Sequence, residues 1–297
     1  MGKRGRNWIN RPPARRAASL TTSIGSPWRN RKANLLAGSA LTGGTLASGT
    51  LRLALLTGLS LAVGTVLAPR PAVAQATCVT SPASTETATG ANAFACGPNA
   101  NANGAGATAI GTASIANGAA ATATGQGSNA TGTNATALGN SSVANGNLAT
   151  ATGSGANATG TDATALGQGA VARGNSATAT GAKSNAIGTF ASAFGQNSKA
   201  NGTAATAVGQ ASNANGVNAT ALGQGSIANG GNATATGSGA VVTGDSATGT
   251  GSGVFVNGGQ ATGTGFGSAA VGFTATATGA GSFANGSNAT TTGAGSS

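Results

Sequence analysis

Histidine and tyrosine are absent, and the only acids are Glu86, Asp162 and Asp245. Proton-transfer and nucleophilic catalysis draw mostly on His, paired carboxylates or Lys, so no catalytic residue is assigned and an enzyme is not expected. Two cysteines with no histidine make a zinc site an unsuitable reading, and neither a metal nor a cofactor is expected. Charged residues make up only 6% of the chain. There is also no leucine heptad seam of the kind a coiled coil requires.

The formal net charge of +11 is confined to one end. Lys3, Arg4, Arg6, Arg11, Arg15, Arg16, Arg29, Arg31, Lys32, Arg52 and Arg70 all precede residue 77, and only Arg173, Lys183 and Lys199 follow it. Binding DNA or RNA by counterion release needs clustered bases. The sequence after residue 77 shows no cluster, so nucleic acid is excluded as a partner. The basic region runs into "LALLTGLSLAVGTVLA" (53–68) and then "PRPAVAQA" (69–76). Small residues at Ala72/Ala74 and Ala74/Ala76 fit a signal-peptidase site, and cleavage is expected after Ala74 or Ala76. The apolar stretch falls short of the roughly 20 residues a membrane span needs, so no membrane anchor is expected within the chain. Residues 1–76 are therefore expected to be a long basic N-region with a signal peptide, and 77–92 an N-terminal cap. In an oxidising compartment Cys78 and Cys96 are expected to pair, stabilising the fold by about 3 kcal/mol.

What the chain has in abundance is order. Every seventh residue from Gly90 to Gly293 is glycine, and pairs of heptads align as 14-residue units from Ala93, for example "ATAIGTASIANGAA" (107–120) and "ATALGNSSVANGNL" (135–148). Collagen has glycine every third residue. A helix would lose about 1 kcal/mol at each glycine. A low-complexity disordered tract needs no such register. Within a unit, positions 1, 3, 8 and 10 are almost always Ala or Ser, which is the period of two expected of strands. Each unit then reads as two strands of about four residues joined by glycine turns with positive φ. About fourteen units would stack at about 4.8 Å each into a flattened rod with an alanine interior. The fold expected for 93–297 is thus an all-β parallel β-solenoid.

The outward positions alternate. Position 4 carries Ile110, Leu138, Leu166, Phe194, Val208 and Leu222, interleaved with Thr124, Thr152, Thr180 and Thr236. Position 9 follows in step up to residue 190, with Ile115, Val143 and Val171 against Asn129, Asn157 and Asn185. An alanine core is thin, and a monomer leaves the aliphatic stripe wet. The six apolar residues at position 4 are therefore read as an oligomer face.

"ATALGQGSIANG" and its siblings resemble the head repeats of YadA-like trimeric autotransporter adhesins, over roughly residues 93–297. The resemblance implies a left-handed parallel β-roll, a homotrimer of such rolls, and attachment to a host-matrix or surface ligand. It further implies export to the cell surface or outer membrane as part of a full autotransporter, or secretion otherwise, and the long presequence is of a kind seen on such exported proteins. Two departures accompany it. Position 2 is Thr where the family often has Val, which makes the expected contact wetter. The family's neck, stalk and membrane-anchoring segments are not among these residues.

Three further features are weighed on the same pattern. Asp162 and Asp245 lie six units apart, about 29 Å along such a rod, too far for a glycosidase pair. Phe255, Phe266, Phe273 and Phe283 gather in the last units, either as an adhesive patch or as a cap and oligomer packing. Thr234/Thr236, Thr248/Thr250, Thr262/Thr264, Thr276/Thr278 and Thr290/Thr292 form consecutive Thr-x-Thr rungs, the pattern of an ice-binding β-solenoid. An ice binder and a passive structural spacer are the alternatives to an adhesin-like head.

Overall fold

A computed structural model describes residues 76–78 and 85–297. The expected leader and Ala74 lie outside the described residues. Ala76 opens the first strand, Ala76–Cys78. The described chain is a parallel β-solenoid of two sheets. A front sheet of sixteen strands runs from Ala76–Cys78 to Thr290–Thr292, and a back sheet of fifteen runs from Thr87–Ala88 to Phe283–Asn285. Strands alternate between the sheets along the chain, and each pairs with the strand one turn away. At about 4.8 Å per rung, the front sheet is about 70 Å long.

The register follows the repeat. Thr108 pairs with Thr122, Ala109 with Ala123 and Ile110 with Thr124, and the shift is the same in every later pair. The exception is the first pair, where Cys78 lies beside Cys96 across an 18-residue separation. These two cysteines are disulfide-bonded, with Cα atoms 4.5 Å apart. The segment expected as a cap, 77–92, thus contributes strands to both sheets.

Numbering each unit from 1 at Ala107, positions 1, 3, 8 and 10 point inward. Ala107, Ala109, Ser114 and Ala116 are fully buried, and the same holds up the rod. Small groups fill this narrow core, because the two sheets are joined by turns of four or five residues. Most buried serines at position 8 donate their hydroxyls to the position-5 carbonyl, as Ser128 does to Gly125 at 2.9 Å and Ser184 to Gly181 at 2.8 Å, whereas the Ser114 hydroxyl has no partner. A hydroxyl so bonded is carried in the core at little cost.

The strands are shorter than the expected four residues. Front strands have three residues and most back strands two, as in Thr108–Ile110 and Ile115–Ala116. The chain turns earlier than the glycine spacing alone suggests, because positions 7 and 14 adopt left-handed backbone. Position 14 does so with ordinary side chains, including Leu148 at φ 58° and Phe190 at φ 60°. Such residues cost about 1–2 kcal/mol in that region. Their amides are held by the preceding rung, Leu148 donating to Thr133 and Phe190 to Asn175, both at 2.9 Å.

The two glycine columns have different causes. Position 5 has φ near 130°, as at Gly125 and Gly139, a region that side chains avoid. Through most of the rod the glycine at position 12 is not in that region. There a Cβ would fall on the carbonyl of the next rung: Gly146 on that of Gly160, and Gly160 on that of Gly174. Positive φ and close approach both act on the position-5 column, whereas close approach of backbone to backbone alone explains most of the position-12 column.

The core also shows one volume exchange. Position 3 is glycine at Gly249 and Gly263, where the neighbouring core residues are Val242, Val254 and Val256. A Cβ on Gly249 would stand 2.6 Å from Val242 Cγ2 and 3.0 Å from Val254 Cγ1. The missing methyls on one sheet make room for the larger side chains of the other. Gly249→Ala is expected to lower stability by about 2 kcal/mol through overpacking. Adding Val242→Ala, which restores the alanine pattern there, is expected to recover most of it. A double-mutant cycle on thermal unfolding measures the coupling; additivity would sink the exchange.

Candidate functional site

Among the described residues the two aspartates are not brought together. Asp162 and Asp245 lie in turns six rungs apart, and the described residues contain no group of three His, Cys, Asp or Glu that could hold a metal. Nor is any helix among them long and apolar enough to cross a membrane. What the fold presents is surface: two outer sheet faces and two edges of stacked turns.

All six residues expected as an oligomer face share one column on the front sheet. Thr124 lies between Ile110 and Leu138, Thr152 between Leu138 and Leu166, and Thr180 between Leu166 and Phe194. Phe194, Val208 and Leu222 then follow on successive rungs. Ile110, Leu138, Leu166, Phe194 and Leu222 are exposed, and Val208 is half-buried. The threonine at position 2 runs beside them. No front-sheet strand contains a charged residue.

Thr-x-Thr rungs continue this face. Thr248, Thr262, Thr276 and Thr290 pair in one column, and Thr250, Thr264, Thr278 and Thr292 in the next. The second column is solvent-facing.

On the back sheet, position 9 runs Ile115, Asn129, Val143, Asn157, Val171, Asn185, Lys199, Asn213, Ile227. The Oδ1 atoms of Asn129, Asn157, Asn185 and Asn213 are buried without a hydrogen-bond partner. For Asn129 and Asn157 the in-register neighbours on both sides are aliphatic.

The four phenylalanines do not form one patch. Phe255 and Phe283 lie in back-sheet strands two rungs apart, with Ala269 paired between them. Phe266 sits in a front-to-back turn and is 72% exposed, whereas Phe273 sits in a back-to-front turn. The two kinds of turn form opposite edges of the roll. Phe273 packs over Gly259, with ring carbons 3.3 and 3.4 Å from where a Cβ there would be.

Both edges carry side-chain ladders. Gln224 donates to Gln210 and Gln210 to Gln196, at 3.3 and 3.2 Å. Asn201 donates to Asn215 and Asn215 to Asn229, each at 2.7 Å. These amide rows tie consecutive rungs together while remaining exposed.

The placement of the three described bases escaped the sequence reading. Arg173, Lys183 and Lys199 occupy positions 11, 7 and 9 of three consecutive units, and all three are exposed. Arg173 follows the back strand Val171–Ala172, Lys183 precedes Asn185–Ala186, and Lys199 begins Lys199–Ala200. The signal that would have found them is the same 14-residue register, applied to charge.

A parallel solenoid with an alanine core and two glycine columns, repeated every 14 residues, defines a repetitive β-roll module. The family model described as the YadA head domain repeat (2 copies) matches at residues 88–114, 130–156, 158–184, 186–212, 200–226, 214–240 and 264–289. The chain belongs to the YadA head-repeat family. No curated protein matches it significantly.

Proposed function

We propose that the chain is a non-enzymatic, exported adhesin-like head that self-associates as a homotrimer and attaches to surface ligands. The observation that carries this reading is the uncharged front face, with its column of exposed Ile110, Leu138, Leu166, Phe194 and Leu222. A rod with so thin a core gains burial by covering that column, at roughly 25 cal/mol per Å² of apolar area removed from water. The back face and the turn edges, which hold every described charge, are then left for ligands. Family membership supports both the self-association and the exported location. Beads coated with the full chain are expected to attach to matrix-coated or cell-coated surfaces, and uncoated beads are not. Equal attachment of both would overturn the adhesive reading.

A second reading rests on the solvent-facing Thr column from Thr250 to Thr292. In-register hydroxyls at about 4.8 Å spacing suit the ordering of water, as in an ice binder. That activity needs the front face wet. Thermal hysteresis from a monomer would favour it, and its absence from a trimer would leave the adhesin-like head.

A further inference from the structure

Aromatic residues enter the back sheet at one place. From Asn101 onward, position 9 is Asn, Ile, Val, Lys or Ala on every rung except two, which carry Phe255 and Phe283. Register links this pair: Phe255 pairs with Ala269, and Ala269 with Phe283. The two rings therefore stand in one column, two rungs or about 9.6 Å apart along the axis. Their side chains are 41% and 43% exposed. Two residues on, the same strands carry Asn257 and Asn285, which share the outer face and are exposed. The rung between offers only Ala269 and Val271 on that face, a low step between two higher ones. Asn257 accepts from the Thr243 hydroxyl at 3.0 Å, which occupies its carbonyl and leaves its amide hydrogens for a ligand. No charged side chain follows Asp245, so this stretch of the back face is neutral.

A ring on every second rung with an amide beside it fits a particular polymer. In an extended β-1,4-linked chain each sugar is turned half over relative to the last, so the same face recurs at every second sugar, close to the two-rung spacing. That face is built of C–H bonds and packs on the electron-rich face of an aromatic ring. The equatorial hydroxyls lie at the rim of the chain, where amides can donate to them. The intervening sugar lies over Ala269 and Val271, whose methyl groups offer no donor to an acetamido carbonyl, so an unsubstituted glucan fits this floor better than chitin. A charged polymer finds no counter-charge here. A protein partner would need about 800 Å² of contact on each side, and two rings supply far less.

We infer that Phe255 and Phe283, with Asn257 and Asn285, form a binding site for a neutral β-1,4-linked glucan laid along the rod axis on the back face. This rests on the reading of the chain as an adhesive head and supplies its ligand class. The back face stays open when the front face is covered, so a trimer carries three such sites, and avidity multiplies a weak individual contact.

The test is depletion of the full chain from solution by microcrystalline cellulose, with insoluble amylose (the same sugar, α-linked and coiled) and chitin as comparisons. Phe255→Ala and Phe283→Ala are each expected to weaken cellulose binding about tenfold, and the pair about a hundredfold. Phe266→Ala, on a turn edge and 72% exposed in the parent, is expected to change nothing. Ala269→Phe combined with Phe283→Ala keeps two rings but sets them on adjacent rungs, and it is expected to stay weak. Full binding by that variant would overturn the spacing argument. No binding by the parent chain, or an unchanged double alanine variant, would overturn the site. Equal binding to amylose, or stronger binding to chitin, would overturn the glucan assignment. Circular dichroism and light scattering on each variant are expected to show unchanged β content and mass. Loss of the assembly in the double alanine variant would overturn the site and make the rings part of the packing between chains. Bead attachment to matrix-coated or cell-coated surfaces is scored separately. Attachment without cellulose binding defeats this inference alone, whereas ring-dependent cellulose binding without attachment defeats the matrix- and cell-adhesive reading alone.

Discussion

Gly146→Ala is expected to destabilise the rod by about 3 kcal/mol or more, because its new methyl would occupy the carbonyl of Gly160 on the next rung. Each carbonyl is tied into its own turn, Gly146 accepting from Ala149 and Gly160 from Ala163, both at 3.2 Å. Gly153→Ala meets two penalties. Its φ of 128° is foreign to an L-residue, and its Cβ would stand 2.5 Å from the Gly167 carbonyl oxygen, for about 2–6 kcal/mol together. Gly155→Ala is the control. Its φ of 65° is the left-handed conformation, but nothing lies within 4 Å of the added methyl, so the loss is about 1 kcal/mol. Alanine already occupies the equivalent position at Ala113 and Ala211. Thermal unfolding followed by far-ultraviolet circular dichroism ranks the three. Equal melting temperatures for Gly146→Ala and Gly155→Ala would refute the close-approach explanation. Because each rung contacts only its neighbours, the damage at Gly146 is also expected to split the unfolding transition.

The second large effect concerns association. Leu138→Asp with Leu166→Asp places two carboxylates in the exposed column of the uncharged front face. If that face is covered by other copies of the chain, each carboxylate is buried without a partner. That costs about 3 kcal/mol or more per site, or more than a hundredfold in association. The variant is expected to be a folded monomer. Val143→Asp, on the opposite sheet at the same height, is expected to leave the assembly intact. Light scattering distinguishes the outcomes. Dissociation by Val143→Asp and not by the front-face pair would move the interface to the other sheet.

Much of the fold is legible in the sequence because one rule is repeated. The inward alanines at positions 1, 3 and 10 and the unbroken glycine spacing fix the coil length, the parallel register and the small core. Less legible is the way the turns close. Leu148 and Phe190 give no local sign of left-handed backbone; only the stacked amide bonds from the rung below hold them there. The split role of the glycines was hidden for a similar reason, since close approach between rungs is a property of two coils and not of one. The aliphatic column was readable, because Ile110, Leu138 and Leu166 keep a fixed phase. The grouping of the phenylalanines was not. Proximity in sequence suggested one patch, but Phe266 and Phe273 fall on opposite edges because half a coil separates them. The bases show the same: Arg173 and Lys183, ten residues apart, fall at opposite ends of back-sheet strands.

The most direct test of the account is the mass of residues 77–297 by size-exclusion chromatography with light scattering. Refractive index gives the concentration, since both tryptophans, Trp8 and Trp28, precede residue 77 and tyrosine is absent. The account predicts a β-rich particle of three chains. A folded, β-rich monomer would contradict it, leaving the front-face column and its Thr-x-Thr rungs open to water.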